Sequence, residues 1–331
     1  MPPLTASDEI AVPPLTSTPD APPTPVSGSG ATAWSRALAA AHDTSAHQNH
    51  PTHTLYVVAT PIGNLADITL RALHVLSLCD VIACEDTRHT QQLLRAYGID
   101  RSSAQLLALH QHNEHEAAQT VVARLAQGQR VAYVSDAGTP AISDPGARLV
   151  DATRHAGFRV LPLPGASSVT TALSASGMTG GNGFVFVGFL PSKTTERQHA
   201  VHALASEERA MVLLEAPHRI EALALALSVL RSRRVTVGRE LTKQFEQIDT
   251  LTASELPAWF AAKPERQRGE FVLVIHDVPA VAATGDGLRV LQLLLPELPL
   301  KTAVKLAAEI SGESKNTLYD QALQLKNAKP D

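Results

Sequence analysis

Short apolar runs alternate with segments of helical spacing from residue 55 onward, and this alternation is the dominant pattern of the chain. Segments 67–78 and 113–127 have the apolar spacing of amphipathic helices. Such an alternation is typical of a mainly parallel sheet that helices cover on both faces. A first α/β domain is therefore predicted over residues 54–169. Its predicted strands are 55–60, 81–85, 106–110, 131–135 and 159–163.

A second series of apolar runs predicts a second α/β domain over residues 170–279. Helical segments follow Thr195 and His218, and a helix over 166–178, ending in a glycine-rich turn, links the two series. The domain boundary is therefore expected near residue 170. The strands of this second domain are predicted at 184–190, 210–216, 234–241 and 270–275.

The two ends of the chain differ in pattern from its middle. Residues 1–53 hold eight prolines in their first 25 positions and few large apolar side chains. We expect a disordered extension there, with at most a transient helix over 34–41, outside the fold. Residues 288–328 show only helical spacing, with a tight turn at 310–314. This spacing predicts a small helical domain, either helix-turn-helix-like or a hairpin used for packing or dimerisation.

Single residues mark several of the predicted helix ends. Asp67 is a candidate N-cap, and Gly98 and Gly128 stand where helix C-caps are expected. Asp144 is a candidate cap of a helix that begins at Pro145.

The loops that follow the predicted strands are rich in small, polar and rigid residues. The stretch 131–146, VAYVSDAGTPAISDPG, passes from an apolar strand into a loop of glycine, proline, hydroxyl and carboxylate side chains. A helix cap explains only Asp144, so we interpret the rest of this loop as a ligand site at the carboxyl end of a strand. Similar loops that would face the same cleft are 60–65, 164–168, 215–219 and 238–243.

These loops lack the common nucleotide-binding signatures. The sequence contains no GxxxxGK[ST] motif, and no GxGxxG opens the first helix after a strand. An adenosine-like ligand held mostly by backbone amides and carbonyls fits the loops better.

Composition and charge narrow the class of protein. A formal net charge of −4 argues against non-specific coating of nucleic acid. Basic clusters at 231–234 and 263–268 allow RNA docking, but each fits a solvated surface at least equally well. Cys79 and Cys84 suit buried reduced thiols. No run of 18 apolar residues occurs and the first 35 residues lack Lys and Arg, so we expect a cytoplasmic protein without a membrane span.

A histidine-rich segment at 110–116 raises the question of a metal site. Three histidines and two acidic residues fall within its seven positions. Helical periodicity places them on different faces, and no further ligands follow at zinc spacing. We therefore expect no metal.

Taken in order, the motifs resemble those of one family. The segments ATPIGNLADITLRAL, ACEDTRHT, LHQHNE, SDAGTPAISDPG, PLPGASS, GRELTK and the tail LPLKTAVKLAAEISGESKNTLYDQAL are similar to the ribosomal RNA small subunit methyltransferase I family. The resemblance covers residues 54–325 and implies a tetrapyrrole-methylase-like α/β fold with a cleft between two domains. It also implies a homodimer that transfers a methyl group from S-adenosylmethionine to the ribose 2′-hydroxyl of a cytidine in the decoding region of 16S rRNA, within the small ribosomal subunit.

The resemblance further implies the residues of the site. His112, or its neighbour His110, takes a role on the substrate side. Arg239 and Glu240, together with Lys243, fit equally an ion-pair network that braces the cleft. The implied cofactor contacts are Pro61, Asp136, Ala137, Gly138, Thr139, Asp144, Ser167, Ser168, Glu215, Pro217, Arg239 and Glu240.

A weak hydroxyl nucleophile benefits from a nearby proton acceptor or cation. In the segment 85–90, Asp86 is the candidate base and Arg88 the candidate phosphate clamp. The alternative for Asp86 is the N-cap of the following helix.

Two other functions remain possible for such a chain. A tetrapyrrole or protein methyltransferase would share the fold, because fold does not decide substrate. A non-catalytic RNA-binding module would need aromatic platforms or a basic stripe. Aromatic residues make up 4% of the chain, which disfavours that module.

Overall fold

A computed structural model describes residues 30–110, 112–143, 145–178, 183–278 and 286–327. The first α/β half of this described chain holds a parallel sheet in the order β3-β2-β4-β1-β5. The predicted parallel sheet is confirmed. In chain order its elements are α1 (Gly30–Ser45), β1 (Thr54–Val58), α2 (Leu70–Leu78), β2 (Val81–Cys84), α3 (Thr87–Ala96), β3 (Leu106–Ala108), α4 (Glu114–Ala126), β4 (Arg130–Val134), α5 (Ala147–His155), β5 (Arg159–Leu163) and α6 (Ser168–Ala175).

Alternate side chains of the central strand β1 enter two different cores. Tyr56 and Val58 pack with α1, α2 and α3 on one face, whereas Leu55 and Val57 pack with α4 and α5 on the other. Every residue of β1 is buried, because helices cover both faces of a parallel sheet. The carboxyl ends of the strands consequently share one edge of the sheet.

The second half holds a mixed sheet in the order β6-β7-β10-β8-β9 within the described residues. Strands β6 and β7 are parallel, and the other neighbours are antiparallel. Helices α7, α8 and α9 cover one face, and α6 covers the other. The elements are β6 (Phe184–Gly188), α7 (Thr194–Leu204), β7 (Ala210–Glu215), α8 (Ile220–Leu227), β8 (Arg234–Arg239), β9 (Gln247–Thr252), α9 (Leu256–Ala261) and β10 (Phe271–Ile275).

A separate cluster of three helices forms the C-terminal part of the described chain. Helices α10 (Asp286–Leu294), α11 (Leu300–Ser311) and α12 (Lys315–Asn327) enclose a small core around Leu291, Ala307 and Leu318. The predicted tight turn is confirmed, because α11 ends at Gly312, which has a φ of +73°. None of the described helices has the length and apolar character needed to cross a membrane.

The predicted start of the fold needs correction at its N-terminal edge. Helix α1 lies within residues 1–53, yet it packs on the first sheet: Ala41 is fully buried, and the rings of Trp34 and Tyr97 meet edge to face at 4.8 Å. The apolar stripe of a short helix was sufficient for docking although its surroundings are rich in proline. Residues 1–29 lie outside the described residues.

Two predicted helix starts are also wrong. Helix α2 begins at Leu70, because the Thr69 hydroxyl accepts the backbone N–H of Ala72 at 3.0 Å, and Asp67 lies in the short 3-10 turn before it. Helix α5 begins at Ala147 rather than Pro145. Gly98 and Gly128 terminate α3 and α4 with positive φ values, one residue after the C-caps Tyr97 and Gln127.

Another acidic side chain organises the start of α5. Glu114, at the beginning of α4, accepts backbone N–H groups of Gly146 and Arg148 through Oε1, at 2.8 and 3.2 Å. These bonds satisfy amides that a helix start leaves without an intrahelical partner. Asp144 itself lies outside the described residues, so its capping and cofactor roles stay predictions.

Candidate functional site

A cavity of about 380 Å³ opens where the loops of the two sheets meet. Its walls combine apolar side chains, hydroxyls, carboxylates and backbone from loops that follow strands. This is the cleft that the loop composition predicted. The described lining residues are Ile62, Glu85, Asp136, Ala137, Gly138, Thr139, Ile142, Ser143, Ser167, Ser168, Val169, Phe189, Leu214, Glu215, Ala216, Pro217, Leu241, Glu270, Phe271 and Val272.

Hydrogen bonds tie the loop after β4 to two other strand-end loops. Thr60 and Gly138 exchange both backbone hydrogen bonds, at 2.9 and 3.0 Å. The Thr139 hydroxyl donates to the carbonyl oxygen of Ala166 at 3.0 Å. Gly138 has a φ of +81°, and a Cβ there would lie 3.2 Å from Ile62. These hydrogen bonds fix the conformation of the loop after β4. Its backbone consequently lies directly beside the cavity.

Helix α6 begins at the same edge of the cavity. Ser167 is its N-cap residue, and Ser168 and Val169 form its first turn. The first amides of a helix have no intrahelical acceptor and attract negatively charged groups. This corner of the cavity can therefore receive a carboxylate.

The second sheet contributes a buried ion pair to the opposite wall. The Glu215 carboxylate lies 2.9 Å from Nε of Arg219, and Nη2 of Arg219 donates to the carbonyl oxygen of Leu190. Glu215 also accepts the backbone N–H of Ala216 at 2.9 Å. Arg219 thus connects the segment that carries the cavity residue Pro217 to the loop that carries the exposed ring of Phe189.

Ion pairs brace the turn after β8, as the alternative interpretation predicted for Glu240 and Lys243, whereas Arg239 bonds to backbone carbonyls. Lys243 lies 2.8 Å from Glu240 and 3.0 Å from Glu270. The Arg239 guanidinium donates to two backbone carbonyls, those of Arg268 at 2.7 Å and Phe245 at 3.1 Å. These bonds hold the turn in place.

Asp86 occupies the N-cap of α3, the alternative role that its position allowed. Its Oδ1 accepts the backbone N–H groups of Arg88 and His89, at 2.8 and 3.3 Å, and Nη2 of Arg88 lies 3.3 Å from Oδ2. The side-chain hydrogen bond from Arg88, followed by these backbone bonds, lowers the pKa of Asp86 below its ordinary value. A carboxylate with a lowered pKa is a weaker proton acceptor.

The remaining substrate-side candidates lie on the surface. The Arg88 side chain is 88% exposed, which leaves it accessible to a phosphate despite its contact with Asp86. His110 and His112 are both exposed, with ring centroids 6.0 Å apart. None of the three belongs to the described lining of the cavity.

Most of the predicted cofactor residues meet in the cavity, and three do not. Pro61, Arg239 and Glu240 are absent from its described lining, and their neighbours Ile62 and Leu241 line it instead. Arg239 and Glu240 bond to other groups of the protein, which keeps their charged ends away from the described lining of the cavity. The predicted residues that do line it are Asp136, Ala137, Gly138, Thr139, Ser167, Ser168, Glu215 and Pro217.

Twelve of the described lining residues were not predicted as cofactor contacts, and four of these add charge or exposed apolar surface to the cavity. Glu85 and Glu270 add carboxylates, and Ile142 and Phe189 add exposed apolar surface, 53% and 54% accessible. Exposed large apolar side chains around a cavity are typical of ligand-binding surface. For Glu85 a signal existed, since it precedes Asp86 at the end of a predicted strand.

The chain is similar in sequence to known methyltransferases over most of its length. Residues 54–257 match the family model described as Tetrapyrrole (Corrin/Porphyrin) Methylases, and residues 281–326 match the RsmI C-terminal HTH domain. Ribosomal RNA small subunit methyltransferase I of Escherichia coli O157:H7 is 49% identical over 274 residues, covering 82% of this chain and 94% of that relative. The chain belongs to the ribosomal RNA small subunit methyltransferase I family. The Pseudomonas aeruginosa relative of the same name is 47% identical over 277 residues, covering 82% and 97%.

Solved structures of lower sequence identity share the fold. Diphthine synthase is 14% identical with a TM-score of 0.52, covering 67% of this chain and 90% of its own. The methyltransferase CobJ is 19% identical with a TM-score of 0.50, covering 68% and 94%. These likenesses confirm the fold of the two α/β halves. Helices α10 to α12 lie within the segment that matches the RsmI C-terminal HTH domain model.

The histidine-rich segment 110–116 was the candidate for a metal site in the sequence. Within the residues that the structure describes, no group of three or more His, Cys, Asp or Glu side chains is placed to hold a metal ion. The thiols of Cys79 and Cys84 are buried and free. Burial raises the pKa of Cys79 to about 12 and that of Cys84 to about 11.

Proposed function

We propose that this protein transfers a methyl group from S-adenosylmethionine to the ribose 2′-hydroxyl of a cytidine in the decoding region of 16S rRNA. One observation carries the proposal: the predicted strand-end loops converge on a single cavity in a chain of this methyltransferase family. The names of the relatives support rRNA of the small subunit as the substrate class.

The chemistry of the cavity fits S-adenosylmethionine. Its volume of about 380 Å³ falls within the range of small-molecule sites. Apolar walls at Ile62, Leu241 and Val272 suit a flat adenine ring, and the start of α6 suits a carboxylate. Asp136 offers an acceptor for a ligand ammonium or hydroxyl group.

The protein contributes mainly position to this reaction. S-adenosylmethionine would supply an electrophilic methyl group: the ribose 2′-oxygen bonds to its carbon as the carbon–sulfur bond breaks, S-adenosylhomocysteine leaves, and the hydroxyl proton passes to water. The cavity residues of the loops after β4 and β7 would hold the donor and so would orient its methyl group. Holding two reactants close and collinear supplies on the order of 7 kcal/mol or more. No metal is required for this step.

The rRNA is proposed to bind next to the cavity, on a surface that exposes basic and histidine side chains. Arg88, whose side chain is 88% exposed, is proposed to bind a phosphate, and His112 or His110 is proposed to contact the nucleotide. Helices α10 to α12 are proposed to dock the rRNA, as helix-turn-helix units do for nucleic acids.

A homodimer is proposed as the assembly. Strand β9 lies at the edge of the second sheet, and Phe245 just before it and Ile248 within it are 68% and 37% exposed. Exposed apolar side chains at a sheet edge favour association. Sedimentation velocity checks it: we expect a dimer, and a monomer at micromolar concentration contradicts it.

The proposed function is tested by offering one labelled methyl donor to three acceptors. Small ribosomal subunits, naked 16S rRNA and a porphyrinogen are each incubated with the protein and S-adenosylmethionine. We expect the label in 16S rRNA, on the 2′-oxygen of a cytidine in the decoding region. The phosphodiester bond that follows this ribose should then resist alkaline hydrolysis. Label in the porphyrinogen alone contradicts the proposal.

A further inference from the structure

The loop after β1 touches the turn after β8 at one position that has no room for a side chain. A Cβ built on Gly63 would lie 2.4 Å from Cγ and 3.0 Å from Cε of Lys243, and 3.1 Å from the Thr242 hydroxyl. Because real Cβ atoms do not approach other atoms within 3.0 Å, Lys243 would have to move. The Lys243 stem therefore rests directly on the backbone of Gly63.

Lys243 is held at both ends, so it does not move cheaply. Its ammonium group bonds to Glu240 at 2.8 Å and to Glu270 at 3.0 Å, and its side chain is 29% exposed. Its backbone belongs to a turn in which Glu240 and Thr242 have φ values of +49° and +66°. Such conformations are costly outside glycine and persist only where their surroundings fix them.

Two hydrogen bonds between Glu240 and Glu270 fix this turn against the residue that precedes β10. The Glu240 N–H donates to the Glu270 carbonyl, and the Glu270 N–H donates to Oε1 of Glu240, both at 3.0 Å. Burial alone would lower the pKa of Lys243, but its hydrogen bonds with Glu240 and Glu270 outweigh burial and raise it. The charged form of Lys243 is thus the one this turn stabilises.

The contact lies between residues that line the cavity on both sides. Ile62 precedes Gly63 in the loop of the first half, and Leu241 and Glu270 flank Lys243 in the second. Ile62 and Leu241 also pack in one apolar cluster with Val169. The Gly63–Lys243 contact consequently joins the two walls that enclose the proposed methyl-donor site.

We propose that Gly63 and Lys243 are positioning residues, whose contact sets the separation of the two walls and so the fit of S-adenosylmethionine. The inference rests on the proposed function. In this proposal, residue 63 is glycine because a side chain there would collide with Lys243. The packed stem of Lys243, and not its charge alone, determines the shape of the site.

A double-mutant cycle tests this contact. Gly63→Ala, Lys243→Ala and the double variant are titrated with S-adenosylmethionine by calorimetry. We expect each single variant to raise the dissociation constant about tenfold, and the double variant to raise it no further, because residues in contact are not additive. The added Cβ enters space that the Lys243 truncation has vacated. Multiplied losses in the double variant overturn the proposal.

Lys243→Met separates the stem from the charge. Methionine keeps an unbranched stem over Gly63, so we expect a dissociation constant within about threefold of the parent. A loss as large as that of Lys243→Ala overturns the packing role. Lys193→Ala is the matched control, since Lys193 forms a similar pair with Glu196 at 3.0 Å but is 79% exposed. We expect it to bind as the parent does.

Melting temperatures distinguish positioning from a purely structural role. Variants that melt earlier but bind S-adenosylmethionine with the parental dissociation constant contradict the proposal. A parent protein that binds no S-adenosylmethionine refutes the proposed function itself. The two failures are therefore separate results of the same titration.

Discussion

The backbone N–H of Asp86 donates a hydrogen bond to Oδ1 of Asp136, 3.2 Å away. Asp86 starts helix α3, and Asp136 lies in the cavity after β4. The bond connects neighbouring strands of the first sheet at their carboxyl ends. It orients the Asp136 carboxylate through the backbone of Asp86 and leaves the Asp86 side chain to cap its own helix.

Asp86 variants separate capping from catalysis. Asparagine caps helices about as well as aspartate, so Asp86→Asn is expected to keep the methylation rate within about twofold. Asp86→Ala is expected to lower the free energy of unfolding by about 1 kcal/mol. Denaturant titration and initial rates check both. A rate that falls more than tenfold in Asp86→Asn, with unchanged donor affinity, restores Asp86 as the base.

Asp136→Asn tests the acceptor role of the cavity carboxylate. Asparagine retains an oxygen for the Asp86 N–H but loses the negative charge. A hydrogen bond to a charged group is worth about 1.5–3 kcal/mol, so the dissociation constant of S-adenosylmethionine should rise at least about tenfold. Asp151→Asn, at a side chain 70% exposed, is the control for a lost carboxylate. Calorimetry that finds equal affinity in all three proteins refutes this contact.

The docking of α1 is expected to make stability depend on pH. His74 lies 4.7 Å from His50 and 5.6 Å from His42, measured between ring centroids. Burial first, and then these two histidines, lower the pKa of His74 below 6.5. The unfolded chain therefore takes up the proton at a higher pH than the folded chain does.

The sign of that dependence follows directly. The stability due to neutral His74 is present above pH 6.5 and is lost as the pH falls through the lowered folded value. His74→Gln should reduce the drop in unfolding free energy between pH 7.5 and 5.5. His199→Gln, an exposed histidine of α7, is the control. Equal drops in the parent and in His74→Gln show that His74 does not contribute.

Gly146 is expected to be intolerant of a side chain. It has a φ of +125°, and a Cβ would lie 2.2 Å from the ring of Tyr133. Gly146→Ala should therefore lower the free energy of unfolding by at least about 2 kcal/mol. Gly157→Ala shares the positive φ but has open space around it, so its loss should be smaller. Equal losses in denaturant titrations would assign the whole effect to the backbone.

Deletion of residues 288–331 tests the role of the C-terminal helices. The described residues that line the cavity lie between positions 62 and 272, so donor binding should remain. Modification of rRNA should weaken, since the proposed docking surface is lost. Filter-binding with labelled small subunits and donor calorimetry check the two arms. If the truncated protein modifies rRNA as fast as the full chain, these helices do not dock the rRNA and have only a structural role.

The strand-end loops could be predicted because their composition is unlike that of a core turn. Strand β9 was not predicted: its sequence QIDTLT is largely polar, as suits an edge strand whose outer side faces solvent. The docking of helix α1 could not be predicted from its own sequence, because it depends on the surface around Tyr97, which lies outside that segment.

The sequence motifs did not distinguish the residues that line the cavity from the residues that only hold its loops in place. Glu85 and Asp86 are adjacent, yet only Glu85 lines the described cavity while Asp86 caps a helix. Glu240 likewise bonds to Lys243, and Leu241 beside it reaches the cavity. Neighbouring side chains diverge at a strand end, and only the turn geometry decides which of them faces inward.

The most direct test of the account is a crystal structure of the protein with S-adenosylmethionine. The account predicts the ligand in the cavity between the two sheets, touching Thr139 of the first half and Pro217 of the second. Its carboxylate should lie at the start of α6, beside Ser167 and Ser168. A ligand bound outside this cavity would contradict the account.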